Sequence, residues 1–378
     1  MKPDFSSKIY SILLIIFLYS SAAISQDTAK NTEPVNSDQT KPDQIKKEKM
    51  YFETEDLLNS NEIIMAHIRE SFPIISEMDL AEIVNSKTVV PVITQDSLNQ
   101  AASGEKFKVS FDVPENFLVD STKILWELNI PEFKSRIYQL FNGKEIYIDT
   151  WPNVVGTIKD KTYTGNFEAY RVRNWPFYKD PDPKKAHLSP TPPGKGNPLG
   201  LFVVHYDQNS LRYFHGTNKN NLLYSKMRNL SHGCVRNDND NIQKMKEFLI
   251  KKVIKSEDLT GWLDSRKTLI YDFTEEDKFP LKIIYKTYEI DKDENGFYFT
   301  LFKDIYNYSS GRINETLNDP GLIYLTNKEN LAAEYRKKIG NDISDDKLSI
   351  MTEYLINKGV EYERYYIDQL KNILSIGF

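Results

Sequence analysis

One cysteine occurs in the 378-residue chain, Cys234, in the stretch LSHGCVRNDND at 230–240, two positions after His232. A thiol of ordinary pKa, about 8.5, is mostly protonated at neutral pH, so a nucleophilic cysteine needs a base, a cation or convergent N–H groups. The sequence offers candidates for each. His215 ends the strand-like run LRYFHGT, where an imidazole can take the thiol proton and later return it to a leaving amine. Gly233 permits a tight turn that aims the N–H groups of 233 and 234 at one point, an oxyanion hole for acyl transfer. His232 can orient the thiol or donate to substrate, and Arg236 can pair with a substrate carboxylate. Ser231 reads as a hydrogen-bonding residue of the loop rather than a second nucleophile. Two other readings compete: a small buried core cysteine, and a zinc site of His215, His232 and Cys234, for which the His-x-Cys spacing is awkward.

Such groups need a scaffold. From Thr88 to about Thr157 the runs TVVPVIT, EKFKVSFDV, KILWELNI, SRIYQLF and KEIYIDTWPNVVG read as short strands, with Asn142-Gly143 as a hairpin turn. A Pro- and Gly-rich loop spans 174–200, of a length often functional. GLFVVHYD and LRYFHGT follow as two more strands. After the cysteine, Ile242, Met245, Leu249 and Val253 share one helical face, with Asn237 or Asp238 as N-cap and the helix N-terminus adding positive potential near the sulfur. The runs FPLKIIYKTYEI and NGFYFTLFKDIY close the β domain near 308. The last 70 residues read as helical.

The N-terminal run MKPDFSSKIYSILLIIFLYSSAAISQ, with Lys2 and Lys8 before an apolar core and Ala23 and Ser25 before the cut, reads as a secretory signal peptide over 1–25. Retention as an anchor is the alternative. Residues 26–50, without an aromatic and dense in Lys, Asp, Asn, Thr and Pro, read as a flexible linker. A helix is expected over about 53–70, and 51–129 as a whole reads as that helix plus short strands. With 49 Lys+Arg against 54 Asp+Glu the net charge is −5 and interspersed, which argues against nucleic acid or an anionic membrane as partner.

The motif of His215 in H-G-T, with fifteen residues from Gly216 to Leu230 between it and S231-H-G-C-V-R236, resembles the signature of the L,D-transpeptidase catalytic domain, the cysteine peptidoglycan transpeptidases. The resemblance covers about 130–308. It implies a mainly β, sandwich-like catalytic domain with a helix after the cysteine and a helical extension over 309–378. It also implies an exported enzyme of the periplasm or cell envelope that acts on peptidoglycan stem peptides without metal or organic cofactor. Cys234 matches the family's nucleophile and His215 its base; Ser231, His232 and Gly233 match positions around the oxyanion hole and acceptor site, and Arg236 a position held by Arg or Asn. One departure is NDND after Arg236, where an apolar residue is expected at 237. The implied reaction is 3-3 cross-linking through a Cys234 thioester with release of D-alanine, and carbapenem β-lactams are the implied covalent inhibitors. Water as acceptor would make a carboxypeptidase, and an envelope protein amine a tethering enzyme. A non-catalytic wall-binding protein is the reading of another class. The stretch from Asn174 to Leu188 is expected to cover the acceptor cleft. Lys195, Lys219, Lys226 and Arg228 read as a solvated basic face.

Overall fold

In a computed structural model, residues 45–92, 106–120 and 122–375 are described. The segment read as a signal peptide, most of the linker and the end of TVVPVIT lie outside them. The chain divides into two compact units, one holding the residues up to His67 with Met78–Leu118, the other Ile68–Glu77 with the chain from Val119 onward.

The first unit carries β1 (Lys47–Thr54), most of α1 (Ser60–Ser71) and α2 (Glu77–Asn85), β2 (Thr88–Pro91) and β3 (Phe107–Pro114). The strands form an antiparallel sheet in the order β1-β3-β2. Strand β1 corrects the expected linker, which gives way to a strand at Lys47. Its partner lies some sixty residues downstream, where Phe52 sits opposite Val109 and its ring meets Phe111. Helix α1 starts seven residues later than expected. The Thr54 hydroxyl accepts from the Asp56 N–H at 2.9 Å and the Asp56 carboxylate from the Asn59 N–H at 3.2 Å, so these side chains hold a turn where a helix would otherwise begin.

The second unit is mainly β. Strands β4 (Lys123–Asn129), β5 (Lys134–Phe141) and β6 (Lys144–Gly156) form a meander. Asn142 (φ 51°) and Gly143 (φ 73°) make the turn between β5 and β6, as the dipeptide predicts. There follow β7 (Gly165–Ala169), β8 (Arg171–Asn174), β9 (Phe202–His205), β10 (Tyr213–His215), β11 (Asn229–Ser231), β12 (Val235–Asn237), α3 (Asn239–Phe248), β13 (Leu269–Asp272) and β14 (Phe279–Lys286). The hydrogen-bonded path runs β13-β8-β9-β10-β12-β6-β5-β4-β14. Four steps separate β10 from β4, roughly 19 Å if the sheet were flat. Yet the Trp126 ring of β4 lies 4.6 Å from Phe214 of β10, and Trp151 of β6 packs on Trp126 from the side. The sheet is therefore curled over a core that these buried rings fill. Thirteen-residue β6 carries the path between the two layers, pairing β5 through Pro152 and β12 from Asn153.

The expected boundary near 308 is also corrected. Strands β15 (Tyr288–Asp293) and β16 (Gly296–Leu301) leave the curled sheet, and after β17 (Ile323–Tyr324), α4 (Lys328–Lys338) and α5 (Asp345–Lys358), strand β18 (Arg364–Tyr366) completes their three-stranded sheet before α6 (Ile367–Ile373). Tyr288, Ile290, Phe299 and Leu301 share a core with Leu331, Tyr335, Met351, Leu355 and Leu370 of the helices. The hairpin thus belongs with the helical extension, because its apolar face is covered by α4, α5 and α6. No helix among the described residues is long and apolar enough to cross a membrane.

Candidate active site

The short strand β10 lies between β9 and β12. His215 pairs with Val203 on one side and Arg236 on the other, and Phe214 with Val204 and Val235. Side chains opposite one another across a ladder share a face, and alternate residues return to it. Phe214 and Val235 therefore point into the core, while Tyr213, His215, Cys234 and Arg236 share the other face. The ladder thus sets His215 of β10 and Cys234, the residue just before β12, on one face, two residues apart in register.

Cys234 is half-buried. Its Sγ donates to the Leu211 carbonyl at 3.3 Å, and the Tyr213 N–H faces the sulfur. Burial pushes the thiol above its ordinary value, against the opposing pull of that N–H, Arg236 and Arg212. His215 is fully buried, and burial together with the neighbouring Arg236 lowers it to about 3, although the Gly216 and Leu199 carbonyls pull the other way. Nδ1 donates to the Gly216 carbonyl, which leaves Nε2 as the basic nitrogen. Both partners are neutral at neutral pH. No hydrogen bond joins them in this state; such bonds commonly tighten only with substrate.

The loop between β11 and β12 departs from the expected oxyanion arrangement. Ser231 Oγ accepts from the Gly233 N–H at 3.2 Å and donates to the Cys234 carbonyl at 2.6 Å, so the Gly233 donor is engaged. The Cys234 N–H has no hydrogen-bond partner among the described residues. Gly233 has φ 100°, and a Cβ there would meet Arg212 Nε at 2.8 Å, so both conformation and space require glycine. His232 is exposed beside the loop. The helix N-terminus does not sit at the sulfur: β12 intervenes, setting α3 roughly 10 Å further along the chain, and a dipole's influence fades within its first turn. Asp238 caps α3, accepting from the Asp240 N–H at 2.8 Å.

Several residues that hold this site carry no motif. Thr162 Oγ1 donates to the Gly233 carbonyl and accepts from the Gly156 N–H, both at 2.9 Å. The Tyr306 hydroxyl accepts from the Thr162 N–H at 3.1 Å and donates to the Gly156 carbonyl at 2.9 Å. Asn237, where an apolar residue was expected, is fully buried. It extends a chain from Ser135 Oγ through Asn153 to the His215 carbonyl, with 2.6, 2.8 and 3.3 Å steps. Polar pairing thus replaces apolar packing under His215.

The long loop is ordered by Asn197, whose buried amide donates to the carbonyls of Pro176, Thr191 and Pro192 at 2.7–3.3 Å. Its Tyr178 lies within electrostatic range of Cys234 and Arg236, and its Asp180 of His232. Arg228 is not part of a solvated face: its guanidinium donates to the Leu223, Glu132 and Phe133 carbonyls at 2.9–3.4 Å. Lys195, Lys219 and Lys226 are exposed. His232 does not join His215 and Cys234 in a metal-binding group, and no cluster of three or more His, Cys, Asp or Glu suited to a metal occurs among the described residues.

A curled, mainly β domain presenting one thiol on a glycine loop beside a buried imidazole defines the class. Residues 127–254 match the model of the YkuD family, the L,D-transpeptidase catalytic domain. Solved structures that resemble it include an L,D-transpeptidase from Mycobacterium smegmatis, 13% identical, covering 55% of this chain and 86% of that one with a TM-score of 0.26. L,D-transpeptidase 3 from Mycobacterium tuberculosis with a faropenem-derived adduct is 11% identical, covering 49% and 75% with a TM-score of 0.26. An Enterococcus faecium L,D-transpeptidase is 14% identical, covering 44% and 51% with a TM-score of 0.24. No curated protein matches.

Proposed function

We propose that the protein is an exported peptidoglycan L,D-transpeptidase with Cys234 as nucleophile and His215 as base. The observation that carries this reading is the shared face of Cys234 and a neutral His215 on adjoining strands within the family-matched span. His215 Nε2 takes the thiol proton as Sγ attacks the carbonyl of the third residue of a tetrapeptide stem, a diamino acid. The Cys234 N–H is the donor poised for the oxyanion, and Gly233 joins it if Ser231 Oγ turns away. The imidazolium then gives its proton to the departing D-alanine amine, leaving a thioester. The side-chain amine of a second stem attacks that thioester, losing its proton to His215, and a 3-3 cross-link forms as the thiol is regenerated. Arg236, half-buried and without an ion-pair partner among the described residues, binds the carboxylate of the leaving D-alanine. The loop residues Tyr178 and Asp180 border the acceptor side.

The test is mass spectrometry of products from purified tetrapeptide muropeptides. The wild type is expected to yield free D-alanine and cross-linked dimers, and Cys234→Ala neither. Tripeptide without dimer would assign water as acceptor, hence an L,D-carboxypeptidase. If folded wild-type protein released no D-alanine, the enzymatic reading would fall in favour of wall binding or of a protein acceptor. A carbapenem such as imipenem is expected to add one adduct mass to the wild type and none to Cys234→Ala.

A further inference from the structure

The catalytic face extends beyond Cys234 and His215. Its ladder registers set two transverse rows, Arg173, Val203, His215, Arg236 and, one step along, Arg171, His205, Tyr213, with Cys234 following Tyr213. Arg171 is neutralised by Asp272 of β13. Arg173 has no ion-pair or hydrogen-bond partner among the described residues, and its Nε is buried without one. His205 is 7% exposed, and its Nε2 is likewise buried and unpartnered. The Tyr213 ring joins them, 4.4 Å from the His205 ring and 5.9 Å from Arg173 Cζ. Burial and the two arginines hold His205 neutral, lowered to about 3, so it offers an N–H rather than a second charge. A guanidinium held half-buried with no counter-ion is unfavourable until an anion arrives, and beside it His205, as the tautomer protonated on the unpartnered Nε2, supplies the second donor that the two oxygens of a carboxylate take.

We infer that Arg173 and His205 form a second carboxylate subsite that selects donor stems by a free carboxylate remote from the scissile bond. The inference rests on the transpeptidase reading. Strand β8 lies three steps from β12, so Arg173 stands roughly 14 Å across the sheet from the thiol strand. The carboxylate of the leaving D-alanine is only a few bonds from the attacked carbonyl and falls to Arg236. A carboxylate at the far end of the diamino acid, or on the second stem residue, is several bonds further off and reaches Arg173. The chemistry is the same for both sources.

Three synthetic tetrapeptides decide it: both carboxylates free, residue two amidated, and residue three amidated. kcat/KM for D-alanine release is measured with wild type, Arg173→Gln and Arg173→Lys, and peptide binding by calorimetry in a Cys234→Ala background. The wild type is expected to prefer the free peptide over one amidated form by at least about ten-fold, and which form is penalised names the carboxylate. Arg173→Gln should lose that preference through a higher KM on the free peptide, while matching wild type on the penalised one, which also shows that the variant is folded. Arg173→Lys should restore part of it. Absence of a preference in the wild type, or its survival in Arg173→Gln, would overturn the subsite. Preferential binding of the free peptide that Arg173→Gln abolishes, without turnover by any wild-type sample, would uphold the subsite and sink the transpeptidase reading instead.

Discussion

Cys234 and His215 form a resting pair in which neither member is charged. Burial raises the thiol and lowers the imidazole, so the resting pair does not store a thiolate; in the reaction proposed above the thiolate forms only as the carbonyl is attacked. Alkylation by iodoacetamide in the absence of substrate should therefore be slow at pH 7 and climb only above the ordinary thiol value of about 8.5, from which Cys234 is raised. Arg236 is one of the cations that oppose this rise. Arg236→Ala should move the alkylation profile to still higher pH and slow the reaction at pH 8 by about three-fold or more; an unchanged profile would show that Arg236 does not act on the sulfur. The strand that ends at His215 was legible in the sequence; the short strand β12 after Cys234, which sets the cysteine on the same face, was not, since the run after it reads only as the start of a helix. What Ser231 does was not. Its hydroxyl takes up the Gly233 N–H, a local choice of rotamer that no spacing encodes.

Strands β6, β10 and β12 position the site only because side chains from distant segments tie them down. Thr162 and Tyr306 close a ring of hydrogen bonds between Gly156 at the end of β6 and the Gly233 carbonyl, seventy-one residues beyond Thr162. Tyr306→Phe removes one buried hydroxyl and leaves the Thr162 N–H and Gly156 carbonyl without it. It should cost about 1–3 kcal/mol in urea unfolding, and kcat should fall more than KM rises, since the loop that aims Cys234 loses its brace. A kcat unchanged at equal stability loss would make Tyr306 structural only. Asn237→Leu, the apolar residue expected from the family pattern, should be harmful here rather than neutral, because Asn153 and the His215 carbonyl lose their partner; a double-mutant cycle with Asn153→Ala should show coupling on the order of 1 kcal/mol. The periodicity of α3, the turn at Asn142-Gly143 and the strands β9 and β10 were readable, since each is a local pattern; three-residue β12 was not. The brace at Tyr306 was not, because its partners come together only when the sheet curls.

Over the whole chain, the division between the curled sheet and the extension followed packing rather than pattern. The 288–301 hairpin looks like any other in sequence, and only the apolar faces of α4, α5 and α6 fix where it goes. The same burial that shapes the curled sheet sets how the protein meets acid. Two histidines of the face that carries Cys234, His205 and His215, are 7% and 3% exposed and both lowered to about 3. In the unfolded chain each has a pKa near 6.5. Between those values the unfolded state binds protons that the folded state refuses, so stability is whole above about pH 6.5 and drains away as pH falls toward about 3, each histidine contributing a slope of about 1.4 kcal/mol per pH unit. From pH 7 to pH 4.5 the pair should remove roughly 5 kcal/mol, a large share of the 5–15 kcal/mol typical of a folded domain. Urea midpoints measured across that window should therefore fall steeply, and His205→Gln, which replaces one titrating ring by a neutral amide, should roughly halve the slope above pH 5, where few carboxylates yet titrate. A slope in His205→Gln equal to that of wild type would mean that His205 is protonated in the folded protein, with a counter-ion already in place beside Arg173.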